Sequence, residues 1–158
     1  MSHNSKQILS GMVTTAILFI AYIIYALGSN APAADDFKSW AISILVFIGI
    51  GVVAIIIVQI VFHIILSASI AIKEGEKEVE RVVASYTLED ERDKLIRLKA
   101  DRIGYICAGF SLVSSLILLA FGHPPIWLLH ILFGSFALSS LIEGAVSVYF
   151  YEKGMKNA

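Results

Sequence analysis

Three long stretches of this chain carry no charged side chain: residues 8–27, 39–72 and 103–142, which are 20, 34 and 40 residues long. An ionised group is costly inside hydrocarbon. A hydrocarbon layer ~30 Å thick takes about 20 apolar residues in helical form to cross. The first two runs each supply one crossing. The third is too long for one and is broken at Gly122-His123-Pro124-Pro125, where proline removes an amide donor and steers the residue before it out of the helical region. These runs predict an all-α membrane protein: a four-transmembrane-helix bundle over residues 8–27, 40–63, 103–121 and 126–149, forming one domain across residues 1–158. The hydrophobic content of 58% agrees.

Lys6, the following apolar run and Ala31-Pro32-Ala33 have the form of a secretory signal. Signal cores span about 7–15 residues, however, and a run of 20 is expected to stay as a transmembrane helix. Lys and Arg in short loops set orientation. Lys6, the eight basic residues within 73–102, Lys153 and Lys156 fall on one side, and only Lys38, beside Asp35 and Asp36, on the other. The expected topology is N-in/C-in, with residues 73–102 cytoplasmic. Trp40 and Trp127 then mark the outer interface, and Tyr149 and Tyr151 the inner one.

Residues 73–102 hold 8 of the 12 Lys/Arg and 9 of the 13 Asp/Glu. Opposite charges at Glu74/Lys77, Lys77/Glu80 and Glu78/Arg81 suit a continuation of the second helix, and Asp90/Lys94, Asp93/Arg97 and Arg97/Asp101 form i,i+4 ladders leading into the third. Thr87-Leu88-Glu89-Asp90 has the pattern of a capping box at a helix start. Val79, Val82, Val83 and Tyr86 on one arm can face Leu88, Leu95, Ile96 and Leu98 on the other. The expectation is therefore a cytoplasmic helical hairpin that extends the second and third helices by roughly 20 Å. The alternative is that the arms lie on the headgroups as surface helices. The near-balanced charge leaves no electrostatic footprint for nucleic acid and suits a protein surface.

The segment Asp90-Glu91-Arg92-Asp93, with Arg97, Lys99-Ala100 and Arg102-Ile103-Gly104-Tyr105 at the start of a span, resembles uncharacterised families of small bacterial and archaeal four-span membrane proteins. These carry a D-E-R-D/E…K-A-x-R motif before the third span, and their genes often sit beside a small helix-turn-helix regulator. The resemblance covers about 16 residues and elsewhere rests on hydropathy. It implies a bacterial or archaeal cytoplasmic membrane and offers Asp90, Glu91, Arg92, Asp93, Arg97, Lys99 and Arg102 as a cytoplasmic interaction surface. It carries no catalytic residue.

Polar residues within the spans are the other candidates. Ser135, Ser139, Glu143 and Ser147 recur at i,i+4 on the fourth helix, as do Gln59, His63 and Ser67 on the second. Counted from the two tryptophans, Glu143 lies about 24 Å deep, and Gln59 and His63 about 28 and 34 Å. Glu143 is thus expected to pair with His63, Gln59 or Arg102, either as a polar clasp between helices or as a proton- or cation-responsive site. Small residues at Gly134, Ala137, Ser140 and Gly144, and at Gly104, Ala108, Ser111 and Ser115, predict close packing of the fourth helix on the third. Gly49 and Gly51 form a weaker version on the second. His130 reads as interfacial and His123 as part of an exposed turn. Cys107 is alone and reads as inert packing.

No catalytic triad, metalloprotease motif, phosphate-binding loop or EF-hand spacing is present in the sequence, so a non-enzymatic protein without metal or cofactor is expected. Two functions stay open. One is a regulatory or scaffold protein that binds a cytoplasmic partner, or assembles with its own copies, through the hairpin. The other is a homo-oligomeric proton or cation channel or carrier built on Glu143 with Gln59 and His63.

Overall fold

The structure, a computed structural model, describes residues 3–74 and 91–153. The described part is all-helical, in four segments: α1 (His3–Leu27), α2 (Phe37–Glu74), α3 (Glu91–Ala120) and α4 (Ile126–Lys153). All four are long and apolar enough to cross a membrane. α2 runs to Glu74, two residues past its uncharged run, and α3 begins a dozen residues before its own. Both therefore carry charged sequence as unbroken extensions of a span. The predicted turn near 85–87, the Thr87 capping box, Asp90 and the apolar residues 79–88 lie outside the described residues.

Local chemistry sets the helix boundaries. α3 ends in a Schellman motif, in which Gly122 takes a φ of +83°. The Gly122 amide donates to the Leu119 carbonyl at 3.0 Å and the His123 amide to that of Leu118 at 3.1 Å. Glycine suits this left-handed position because it has no Cβ to clash. Pro124 and Pro125 then start α4, whose early amides at Trp127 and Leu128 donate to the two proline carbonyls at 3.1 Å each. At the start of α2, Asp36 is the N-cap, its Oδ1 accepting from the Ser39 amide at 3.0 Å. Hydrogen bonds from Ser39 hold the Asp36 carboxyl below its ordinary range.

α4 is the hub. It packs along α3 on one side and along α1 on another, and touches α2 lightly; α1 in turn carries α2. Among the described residues α2 does not approach α3. Ser5, near the start of α1, donates to Glu152 Oε1 near the end of α4 at 2.8 Å. Both chain ends thus lie at one end of the bundle, called here the charged end.

The two small-residue stripes do different work from that expected. The α3 stripe does face α4: Gly104 and Ser115 are buried, and Ser111 donates to Ser135 Oγ at 2.7 Å. The α4 glycines instead seat α1. Gly134 lies against the Phe19 ring, and a Cβ on Gly144 would stand 2.5 Å from Met12 Cγ and 2.7 Å from its Sδ. Ser140 is exposed. The α4 face that meets α3 is the polar one, with Ser139 and Ser147 buried. Gly51 touches only the Leu18 tip, and Gly49 has nothing near it.

Gly144→Ala forces Met12 to move, and crowding of this kind costs about 1–3 kcal/mol. The expected outcome is a lower thermal midpoint in detergent for Gly144→Ala, with less than additive loss when Met12→Ala is combined with it. Full additivity would mean that Met12 does not occupy this seat.

Candidate functional site

Three groups of polar and aromatic side chains join the helices, and they divide the sequence candidates among them. At the charged end, α1 reaches both neighbours. Gln7 Nε2 donates to Gln59 Oε1 at 2.9 Å and lies 3.4 Å from His63 Nε2. Gly11 faces the same Gln59 amide. Asn4 Nδ2 donates to Asp93 Oδ2 of α3 at 3.4 Å, close to the Ser5–Glu152 bond. Gln59 and His63 both meet Gln7, a residue that hydropathy placed outside the first span.

Glu143 belongs to the second group, between α3 and α4. Its Oε2 occupies the space beside Gly104, 3.2 Å from where a Cβ would be. Asp101 and Arg97 are its charged neighbours on α3. Arg97 Nε lies 4.0 Å from Asp101 Oδ2, the i,i+4 pair read from the sequence. Glu143 thus meets α3, whereas Gln59 and His63 meet α1. The reason is steric: Gly104 leaves room for a carboxyl at the α3–α4 contact, and α2 has little contact with α4. Ser139, one turn from Glu143, is 6% exposed, and its Oγ has no hydrogen-bond partner.

The third group lies at the opposite end and was not assembled from the sequence. Tyr22 is buried at the meeting of α1, α2 and α4, and its hydroxyl shares a 2.5 Å hydrogen bond with His130 Nδ1. Trp40 stands edge-on to the His130 ring with centroids 4.5 Å apart, and its indole N–H donates to the Ala33 carbonyl at 3.1 Å. Phe47 and Phe133 pack on Tyr22, and Tyr25 bonds Ser43 at 2.9 Å. Trp40, expected to mark an interface together with Trp127, is buried among these rings, while Trp127 is half exposed. The signal was available in the aromatic spacing Tyr22/Tyr25, Trp40/Phe47 and His130/Phe133, since such rings gain from packing edge to face.

The motif residues on α3 also divide. Glu91, Arg92, Arg97 and Arg102 are exposed. Lys99 turns back over the Phe150 ring, 5.8 Å from its centroid, and Asp93 is held by Asn4. Ile96 and Ala100, both 1% exposed, fix this stretch against the bundle, while Leu95 and Leu98 point outward. Leu95, Ile96 and Leu98 therefore do not share one buried face, and the residues they were expected to face, 79–86, lie outside the described residues. Cys107 is a free thiol, partly buried. Among the described residues, no three His, Cys, Asp or Glu side chains gather into a metal-binding group. Compared with known protein families, curated proteins and solved structures, the chain finds no match.

Interhelical hydrogen bonds inside membranes contribute about 0.6–2 kcal/mol each. Tyr22→Phe is accordingly expected to destabilise the protein by about that amount. Ser139→Ala, which removes a buried hydroxyl without a partner, should be neutral or stabilising. Chemical or thermal unfolding in mixed micelles checks both, and a destabilising Ser139→Ala would contradict the assignment.

Proposed function

We propose that the protein is a non-enzymatic integral membrane protein, N-in/C-in, that works as a regulatory or scaffold element through its cytoplasmic charged hairpin. The hairpin binds a cytoplasmic protein partner or a further copy of the chain. The observation that carries this reading is the state of the charged part of α3. It continues the span without a break, is pinned by the buried Ile96 and Ala100, and presents Glu91, Arg92, Lys94, Leu95, Arg97 and Leu98 to solvent.

A surface of this kind suits protein recognition. Its charges are of both signs, which favours selectivity and register between partners. Two exposed leucines lie among them and supply apolar contact. Because the backbone is already helical and anchored, less ordering entropy opposes binding than in a disordered tail. The likeness to small bacterial and archaeal four-span proteins points the same way and supports a cytoplasmic membrane location.

A second reading, the homo-oligomeric proton or cation channel or carrier, draws on the meeting of Glu143 with Asp101 at the α3–α4 contact. It must do without Gln59 and His63, which Gln7 engages. A single four-helix copy encloses too few polar groups for a hydrated path, so this reading requires a ring of subunits. A monomer in nanodiscs would remove it.

The scaffold reading is tested with a photo-crosslinking residue placed at Leu98, and in a control at Val113 on the apolar part of α3. The expected outcome in cells is a discrete adduct from Leu98, either with one other protein or with a second copy, that disappears when Arg92, Lys94 and Arg97 are changed together to Ala. An adduct pattern no different from that of Val113 would sink the reading.

A further inference from the structure

The face of α3 turned away from α4 carries an open groove of about 460 Å³ walled by Leu98, Asp101, Arg102, Tyr105 and Ile106. Its position is set by the sequence. Arg102 is the last charge before forty uncharged residues, so in a membrane it stands where the hydrocarbon gives way to headgroups. Arg102 and Tyr105 are both exposed and, among the described residues, make no hydrogen bond, ion pair or ring contact. The neighbouring cations differ: Lys99 lies over Phe150 and Arg97 is paired with Asp101. The other charged wall residue, Asp101, faces Arg97 and Glu143, leaving the guanidinium as the uncompensated charge among the described residues.

Below this polar rim the same face is apolar and open. Tyr105, Ile106, Phe110 and Val113 are 78%, 61%, 76% and 56% exposed, and nothing lies within 4 Å of the Cβ position at Gly109. A guanidinium fork and a phenol hydroxyl at headgroup depth, above a channel of apolar side chains, match an anion that carries a hydrocarbon tail. A free phosphate would leave the lower part unfilled. We propose that this groove binds the phosphate of an anionic glycerophospholipid at Arg102 and Tyr105, with an acyl chain lying along Ile106, Phe110 and Val113. The proposal rests on the reading that the chain spans a membrane, and it is independent of what the charged arm binds.

The test is native mass spectrometry of the full chain released from nanodiscs holding equal phosphatidylglycerol and phosphatidylcholine. The parent protein is expected to keep phosphatidylglycerol preferentially, and Arg102→Gln to lose about five- to tenfold of that retention. Arg92→Gln, an exposed cation one face away, should retain it as the parent does. Unfolding curves for both variants confirm that each is folded. Three results would overturn the proposal: equal retention in Arg102→Gln and the parent, no preference over phosphatidylcholine in the parent, or a protein dimer through this face that excludes lipid. A dimer through this face would also appear as a Leu98 adduct with a second copy, since Leu98 walls the groove. Loss of lipid preference without dimerisation leaves that crosslinking unchanged, so failure here and failure of the scaffold reading are distinguishable.

Discussion

Inside hydrocarbon, apolar surface gains little by leaving lipid for protein, so helices associate through close approach and side-chain hydrogen bonds. The contact at Gly144 is where this constraint acts most strongly. Met12 of α1 lies in the space that any larger residue at Gly144 would fill, and nearer the other end Phe19 packs on Gly134 at ordinary contact distance. With α1 seated there, Tyr22 reaches His130, Ser5 reaches Glu152, and Gln7 is positioned to hold α2 through Gln59. The other contacts of α2, through Ser43, Phe47 and Trp40, are mostly with α1 as well. Its place in the bundle depends on α1, and therefore on the glycines of a helix it barely touches.

The opposite side of α4 follows the same logic with different chemistry. Its serines and Glu143 meet the small residues of α3, and Gly104 accommodates the carboxyl. The contact runs on past the apolar span, where Ala100 and Ile96 stay buried and Lys99 covers Phe150. Continuity of packing along α3 is what turns a charged sequence into a fixed surface. It links the membrane fold to the proposed function: the arm owes its order to the bundle, and its outward face is left available.

Hydropathy made the spans legible, along with the break at Gly122, because charge and proline act locally and strongly. Helical continuation into the charged block was legible from the i,i+4 pairs, and Arg97–Asp101 forms as read. Which face meets which neighbour was not. A membrane helix is apolar on its lipid side and on its packed side alike, so periodicity does not separate them as it does in water. Glycines 134 and 144 could have seated α3 or α1, and only three-dimensional packing assigns them to α1. Depth counting likewise put Glu143 near Gln59 and His63, but depth does not fix azimuth. Trp40 and Trp127 look alike in sequence, yet one is a core residue and the other is half exposed, because Ala33 and His130 offer Trp40 partners.

The charged part of α3 is an ordered extension of the helical bundle. Hydrogen–deuterium exchange in nanodiscs tests it most directly, read at the backbone amides of residues 95–102. Exchange on the order of a hundredfold or more slower than in an unstructured peptide is expected, with protection continuous into the apolar span. Exchange at the rate of an unstructured chain would contradict it.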